Sequence, residues 1–236
     1  MVELVDEAPA TALAVYAHPD DPEVSCGGTL ARWARAGSAV HVAVVTRGDK
    51  GSSDPSIDPG ERVRRRAGEM AAAADVLGLA GHHALGYPDG DVENTVELRR
   101  QLVGLIRSIR PVAVVCPDPT AVFFGPSYFN HHDHRAVGWA ALDAVSPAAA
   151  QPHYFPDEGD AHRVGAVYLS GTLEPDAWVD ISDTVDTKAQ ALLCHASQID
   201  ETAEWLRTVV RERAEEGGRL AGVGCAEGFR RFTPAG

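Results

Sequence analysis

Three short apolar runs, each separated from the next by segments with helical spacing, constrain the fold of this chain more than any other feature. The runs TALAVYA (11–17), AVHVAVVT (39–46) and VAVVC (112–116) are five to eight residues long and rich in valine. Apolar runs of this length are typical of strands buried on both faces of a parallel sheet. Because strands and helices alternate, we predict an α/β fold with a mainly parallel sheet and helices on both faces.

The intervening segments carry helix signals. The segment 25–37 places Leu30 and Trp33 one turn apart and stops at Gly37, and the segment 61–78 stops at Gly78. Further expected elements are a strand near 83–85, helices over 95–110 and 131–145, strands over 165–171 and 177–182, and a helical region over 184–216 in two pieces.

One segment interrupts this regular alternation. Residues 146–163 are rich in Pro, His, Asp and Gly, and we expect them to form an insertion over the top of the sheet. Neither a linker nor an internal repeat divides the sequence. We therefore predict one domain over residues 1–236.

Charge and composition exclude several classes of function. The formal net charge of -13 argues against a nucleic-acid partner, which needs a basic face. No apolar run is long enough to span a membrane, and residues 1–10 carry acids where a signal peptide carries bases, so we expect a cytoplasmic location. The four cysteines form no CxxC pair and are expected to be reduced and structural. The run of arginines over 62–66 is by default a solvated helix face.

Two clusters of histidine and aspartate fall at one edge of the predicted sheet. His18, Asp20 and Asp21 follow the first strand directly, and the segment HHDH (131–134) follows the loop after the strand 112–116. Sites in open α/β sheets form beyond the carboxyl ends of the strands, so we expect the two clusters to converge there. Taken alone, the first cluster is also compatible with a capped turn and the second with a polar helix start.

Together, the clusters have the composition of a metal site. Imidazole nitrogen and carboxylate oxygen suit zinc, and a catalytic zinc has three protein ligands with one position open for water. His18, Asp21 and His134 would supply that set, and the neighbouring Asp20 could take a proton from the bound water. The pKa of such a water falls towards about 7.

At these residues the sequence resembles the zinc-dependent N-acetylglucosamine de-N-acetylase family of the PIG-L/LmbE type. The family motif AHPDD is present as residues 17–21, and the family motif HPDH is matched by HHDH. The resemblance extends to TRGDKG (46–51), RAGEMAAAADVLG (66–78), HASQ (195–198) and CAEGF (225–229). It therefore covers nearly the whole chain.

The resemblance implies a Rossmann-like three-layer sandwich and a zinc-dependent amide hydrolase that removes N-acetyl from an amino sugar or a related small molecule. It implies Zn²⁺ on His18, Asp21 and His134, with Asp20 as the general base. It further implies that a protonated His131 stabilises the oxyanion or protonates the leaving amine. Asp133 would orient and charge that imidazole. Arg66 would contact a substrate hydroxyl or phosphate, as an exception to the solvated arginine face.

The sequence departs from the family pattern at three places. Pro22 shifts Glu23 by one position, so we expect a structural role for Glu23 at the start of the helix. His132 replaces the usual proline and is not expected to be a ligand. Some relatives place a tyrosine two residues before the HPDH motif, where Phe129 stands here next to Tyr128. Assistance of the oxyanion by a tyrosine therefore stays open.

Several alternatives remain at this point. A related amidase would act on another amide such as a thiol conjugate, and a metal-binding protein would have lost catalysis. A dinucleotide-binding protein is disfavoured because no G-x-G-x-x-G turn follows the first strand. We expect the loops 47–60, 117–130 and 146–164 to select the substrate, and His195 to lie behind the site. Relatives often self-associate, so the resemblance also allows a homo-oligomer.

Overall fold

The fold was analysed in a computed structural model, which describes residues 3–52, 54–199 and 202–234. Ten strands are present among these residues: β1 (Glu3–Leu4), β2 (Thr11–Tyr16), β3 (Ala39–Thr46), β4 (Gly81–Tyr87), β5 (Ala113–Pro117), β6 (Phe123–Phe124), β7 (Tyr128–Phe129), β8 (Ala166–Ser170), β9 (Ala177–Asp180) and β10 (Ala226–Phe232).

Six α-helices accompany them: α1 (Asp21–Arg35), α2 (Pro59–Leu77), α3 (Val96–Ile109), α4 (His132–Asp143), α5 (Val185–Leu192) and α6 (Ala203–Ala221). A π-helical turn over Ala144–Ala149 extends α4, and a short 3₁₀ turn follows at Pro156–Glu158. None of the described helices is long and apolar enough to cross a membrane.

Eight strands form the central sheet in the order β1-β9-β10-β8-β5-β2-β3-β4, and β6 and β7 form a separate small hairpin. Every neighbouring pair in the central sheet is parallel except the two pairs made by β10, which runs antiparallel to β8 and β9. Along the chain, β3 and β4 are added on one side of β2, and β5 is then added on the other side of β2. This reversal of direction creates a crevice at the carboxyl ends of β2 and β5.

The side chains of β2 alternate between the two faces of the sheet. Ala12, Ala14 and Tyr16 pack into one core, which contains residues from α1, α2, α5 and α6. Leu13 and Val15 pack into a second core with residues of α3, α4 and the π-helical turn. Because both faces of the sheet are covered by helices, the predicted three-layer Rossmann-like α/β fold is confirmed.

The helix ends follow the sequence signals. Asp58 caps α2 by accepting a hydrogen bond from the Glu61 N–H, and Gly78 ends the helix in the left-handed conformation at φ 73°. Thr95 caps α3 in the same way. The predicted helical region over 184–216 is present as α5 and α6, with α6 ending at Ala221.

The insertion over residues 146–163 is not where the sequence analysis placed it. It packs against α3 and the amino end of β5, where His162 Nε2 lies 2.8 Å from the carbonyl oxygen of Pro111. The buried guanidinium of Arg107 holds it by donating to six backbone carbonyls. The prediction that this segment lies over the top of the sheet is therefore wrong. The expected role of this segment in selecting the substrate at that edge of the sheet is also wrong.

Candidate active site

The histidine and aspartate clusters converge at the crevice between β2 and β5. His18 and Asp21 follow β2 directly, and His134 lies in the first turn of α4, which follows the loop after β5. Asp89 joins them from the loop after β4. The expectation that two segments more than a hundred residues apart meet at one edge of the sheet is confirmed for these side chains.

Three side-chain groups form a close triangle. His18 Nδ1 lies 3.1 Å from His134 Nε2 and 3.3 Å from Asp21 Oδ2, and His134 Nε2 lies 3.1 Å from Asp21 Oδ1. Ligands that bind zinc tetrahedrally at 2.0–2.1 Å are separated by about 3.3 Å. The triangle therefore has the size and the donor set that a tetrahedral divalent cation requires.

The ring of His134 is oriented by a neighbour. Its Nδ1 lies 2.9 Å from Asn130 Oδ1, and Asn130 Nδ2 donates to the carbonyl oxygen of Ala121 at 3.0 Å. Since an amide oxygen can only accept, the proton of His134 must lie on Nδ1. The lone pair on Nε2 then points into the triangle, as in many metal sites where a second hydrogen bond fixes the tautomer.

The ring of His18 is oriented from its other nitrogen. His18 Nε2 lies 3.1 Å from Asp89 Oδ1 and 3.4 Å from Asp133 Oδ2. Nδ1 is thus the atom that faces Asp21 and His134. Burial lowers the pKa of His18, but hydrogen bonds to Asp133, Asp21 and Asp89 outweigh it and raise that pKa to about 12. The carboxylates therefore favour positive charge at this position, as expected for a cation site.

Asp20 borders the same cavity as the triangle and makes an ion pair. Its Oδ1 accepts a hydrogen bond from Arg66 Nη2 at 2.6 Å. The Asp20 side chain is 26% exposed, whereas Arg66 is only 2% exposed. Asp20 makes no side-chain cap on α1, and Asp21 Oδ2 accepts instead from the His18 N–H at 2.7 Å. The capped-turn explanation of this cluster is therefore wrong.

Known proteins resemble this chain in sequence and in structure. The family model described as PIG-L, GlcNAc-PI de-N-acetylase, matches residues 13–145. The diacetylchitobiose deacetylase of Thermococcus kodakarensis is 34% identical over 227 residues, which cover 94% of this chain and 82% of that protein. The chain belongs to the PIG-L family.

Two further relatives extend the comparison. A 1D-myo-inositol 2-acetamido-2-deoxy-alpha-D-glucopyranoside deacetylase of Kineococcus radiotolerans is 31% identical over 179 residues, covering 63% of this chain and 48% of that protein. The structure of N,N'-diacetylchitobiose deacetylase from Pyrococcus horikoshii superposes with a TM-score of 0.86 at 28% identity, covering 95% of this chain and 84% of that one. The PIG-L fold thus accounts for most of the chain.

In the HHDH motif of this PIG-L protein, the side chains of His131 and Asp133 have different partners. His131 precedes α4, and its Nδ1 accepts a hydrogen bond from the Asp133 N–H at 3.2 Å. The proton of the neutral ring therefore lies on Nε2. Burial and the nearby His18 lower the pKa of His131. The expectation of a protonated imidazole does not match this arrangement.

Asp133 supports a different histidine from the one expected. Its carboxylate is fully buried and accepts from the N–H groups of Gly90 at 2.7 Å and Val92 at 3.2 Å. Its Oδ2 lies 3.4 Å from His18 Nε2 but 3.9 Å from His131 Nδ1. Asp133 thus orients His18 more closely than His131, and it fastens the loop after β4 to α4.

The arginine run is only partly solvated. Arg62 and Arg66 are buried, and Arg62 donates to the carbonyl oxygen of Asp49 at 2.8 Å. The solvated-face assignment is therefore wrong for Arg62, and the burial of Arg66 agrees with the exception made for it, while Arg64 and Arg65 are exposed. Arg66 still borders a cavity that also contacts His18 and Asp20, so its predicted contact with substrate stays a prediction.

Glu23 and His195 form a buried pair behind the site. Glu23 Oε2 lies 3.2 Å from His195 Nε2, and both side chains are almost fully buried. Burial raises the pKa of Glu23 against the lowering effect of His195. The pair connects α1 to the HASQ segment, which agrees with the structural role expected for Glu23.

Three residues of the site were missed in the sequence. Asp89 and Asn130 contact the proposed ligands, and Lys50 borders the same cavity. The sequence PDGD (88–91) directly follows β4, a neighbour of β3 in the parallel sheet, so its position at the same edge was the signal for Asp89. Tyr128 also borders the site, and both Tyr128 and its neighbour Phe129 are exposed.

Proposed function

We propose that this protein is a zinc-dependent hydrolase that removes the N-acetyl group from an amino sugar or a related small molecule. The observation that carries the proposal is the triangle of His18, Asp21 and His134 beside the carboxylate of Asp20. Water adds across the amide, the carbon–nitrogen bond breaks, and acetate and a free amine are released. Amide hydrolysis on another small-molecule amide, such as a thiol conjugate, is the alternative within the same chemistry.

The relatives support an amino-sugar substrate. The names of the two curated relatives specify acetylated disaccharide and acetamido-glucopyranoside substrates. The cavity beside the triangle has a volume of about 470 Å³ and is bordered by charged and amide side chains, including Lys50, Asp89 and Gln198. Such groups suit the hydroxyls of a sugar, since they can both donate and accept hydrogen bonds.

When bound, zinc would polarise the acetyl carbonyl and make water nucleophilic near neutral pH. Side chains of the protein carry out the proton transfer and stabilise the developing charge. The Asp20 carboxylate, held by Arg66, takes the proton of the attacking water. His131 Nε2–H donates a hydrogen bond to the carbonyl oxygen as negative charge develops on it, and the proton taken up by Asp20 passes to the departing nitrogen. A cytoplasmic location and a homo-oligomeric state stay predictions.

The test separates proton transfer from metal binding. Asp20→Asn keeps the shape of the side chain but removes the base, so we expect near-normal zinc content and at least a hundredfold loss of acetate release. Zinc is measured by mass spectrometry and acetate by a coupled assay with N-acetylglucosamine and its disaccharide.

Asp75→Asn, at an exposed position of α2, serves as the matched control and should change neither quantity. Unchanged acetate release by Asp20→Asn would remove Asp20 as the base. An absence of hydrolysis by the zinc-loaded parent protein on every N-acetylated amino sugar would contradict the proposed function itself.

A further inference from the structure

Two cavities meet at the triangle of proposed metal ligands. Both are bordered by Asp21, His134 and Tyr128. The first, called here the polar lobe, has a volume of about 470 Å³ and is the cavity already described. The second has a volume of about 660 Å³ and, apart from these shared residues, is bordered by a different set of side chains. A molecule that places one bond at the triangle can therefore extend in two directions.

The second cavity, called here the apolar lobe, has a different chemical character. Its lining includes Val24, Pro117, Phe124 and the ring of Tyr128. Phe124 and Tyr128 face each other across the β6–β7 hairpin with ring centroids 5.8 Å apart. Arg213, whose side chain is exposed, also contributes to this lining.

The buried polar atoms of the apolar lobe are already hydrogen-bonded within the protein. The Ser170 hydroxyl lies 2.7 Å from the Tyr16 hydroxyl, and Asn130 Oδ1 lies 2.9 Å from His134 Nδ1. These groups offer little to the hydroxyls of a sugar, because a new partner would have to displace an existing one. The polar lobe, bordered by Asp20, Lys50 and Asp89, is the better match for the hydroxylated part of a substrate.

An amide at the triangle therefore places its amine-bearing sugar in the polar lobe and its acyl group in the apolar lobe. An acetyl methyl occupies about the volume of one water molecule, roughly 30 Å³. The apolar lobe is far larger than that group. On the basis of the proposed function, we propose that the preferred substrates are N-acyl amino sugars whose acyl chain is longer than acetyl. The products are the free amine and the corresponding medium-chain carboxylate.

The energetic consequence can be measured along a series of substrates. Each methylene that leaves water for an apolar site contributes about 0.8 kcal/mol, or roughly fourfold in affinity. The zinc-loaded protein is assayed with N-acetyl-, N-butyryl- and N-hexanoyl-glucosamine, and kcat/KM is obtained from released glucosamine, the common product. We expect kcat/KM to rise at least tenfold from acetyl to hexanoyl.

Variants test whether the apolar lobe is responsible. Val24→Trp narrows the lobe from α1 and should lower the hexanoyl-to-acetyl ratio of kcat/KM at least tenfold. Phe124→Ala removes one wall and should lower the same ratio, which provides a second test if Val24→Trp folds poorly. Val96→Trp, a matched change at an exposed position of α3, should leave the ratio as in the parent protein.

The outcomes separate the two proposals. If acetyl is released but kcat/KM falls from acetyl to hexanoyl, the inference about the acyl chain is wrong and the proposed deacetylase function stands. If the hexanoyl-to-acetyl ratio of kcat/KM stays high in both Val24→Trp and Phe124→Ala, the inference is also overturned, because another site must then hold the acyl chain. If glucosamine is released from none of the three compounds, the proposed function fails and the inference fails with it.

Discussion

Arg66 Nη2 donates to Asp20 Oδ1 at 2.6 Å, although the two residues lie 46 positions apart and on different elements. The guanidinium is 2% exposed and packs against the backbone of Gly48, where a Cβ atom would collide with it. Gly48 is at φ 62°, a conformation that glycine adopts at no steric cost. The TRGDKG segment (46–51) and helix α2 thus combine to position the carboxylate of Asp20.

This relationship predicts the effect of removing the guanidinium. Arg66→Met keeps the buried stem but releases the Asp20 carboxylate, so we expect kcat to fall at least tenfold because the base is no longer held in place. Zinc content should stay near the parent value, since Arg66 contacts no proposed ligand of the triangle. Arg65→Met, at an exposed neighbouring position, is the control. A parent-like kcat in Arg66→Met would show that the ion pair does not position the base.

A second prediction concerns the support of His134. Asn130→Ala removes the acceptor for His134 Nδ1 and frees the ring to rotate, so we expect the affinity for zinc to fall about 10- to 100-fold. Competition with a chelator at fixed pH measures this affinity, and Asn94→Ala, away from the triangle, is the control. An affinity equal to that of the parent protein would mean that Asn130 does not orient the ligand.

A third prediction follows from the raised pKa of His18. Without zinc, the surrounding carboxylates hold the pKa of His18 near 12, so the ring is protonated at neutral pH. Zinc binds only the neutral ring and must displace this proton, so the affinity should rise with pH by about tenfold per unit between pH 6 and 8. Chelator competition, corrected for protonation of the chelator, checks the slope. An affinity that does not change over this range would contradict the protonated ring.

A fourth prediction concerns Arg107, which is far from the site. Arg107→Ala leaves six carbonyl groups of the 148–159 region without their shared donor, so we expect a loss of about 3 kcal/mol in the free energy of unfolding. For a chain of this size the melting temperature should fall by roughly 6–12 °C. Arg219→Ala, on the exposed surface of α6, should change it little. A change below 2 °C in Arg107→Ala would mean that the segment is held by other contacts.

The central part of the fold could be predicted because its signals are local. The strands β2, β3 and β5 are continuous apolar runs, and α2 begins and ends at a capping residue and a glycine. The strand β10 was not predicted. It contains AEGFRRF, in which charged residues interrupt the apolar pattern, and it runs antiparallel beside β8 and β9.

The site could be predicted where chain topology alone decides the position of a side chain. His18, Asp21 and His134 meet because each follows a strand of the same parallel sheet. The partners of these residues could not be predicted in the same way. Whether Asp133 contacts His18 or His131 depends on a difference of 0.5 Å, from 3.4 to 3.9 Å, which no motif encodes. The organisation of the 236 residues as one domain stays a prediction.

The most direct test of the account is the position of the metal. The protein is crystallised with zinc, and anomalous diffraction is measured on both sides of the zinc absorption edge. We expect one zinc per chain, bound by His18 Nδ1, the Asp21 carboxylate and His134 Nε2. Zinc bound elsewhere, or a triangle that stays empty of metal at saturating zinc, would contradict the account.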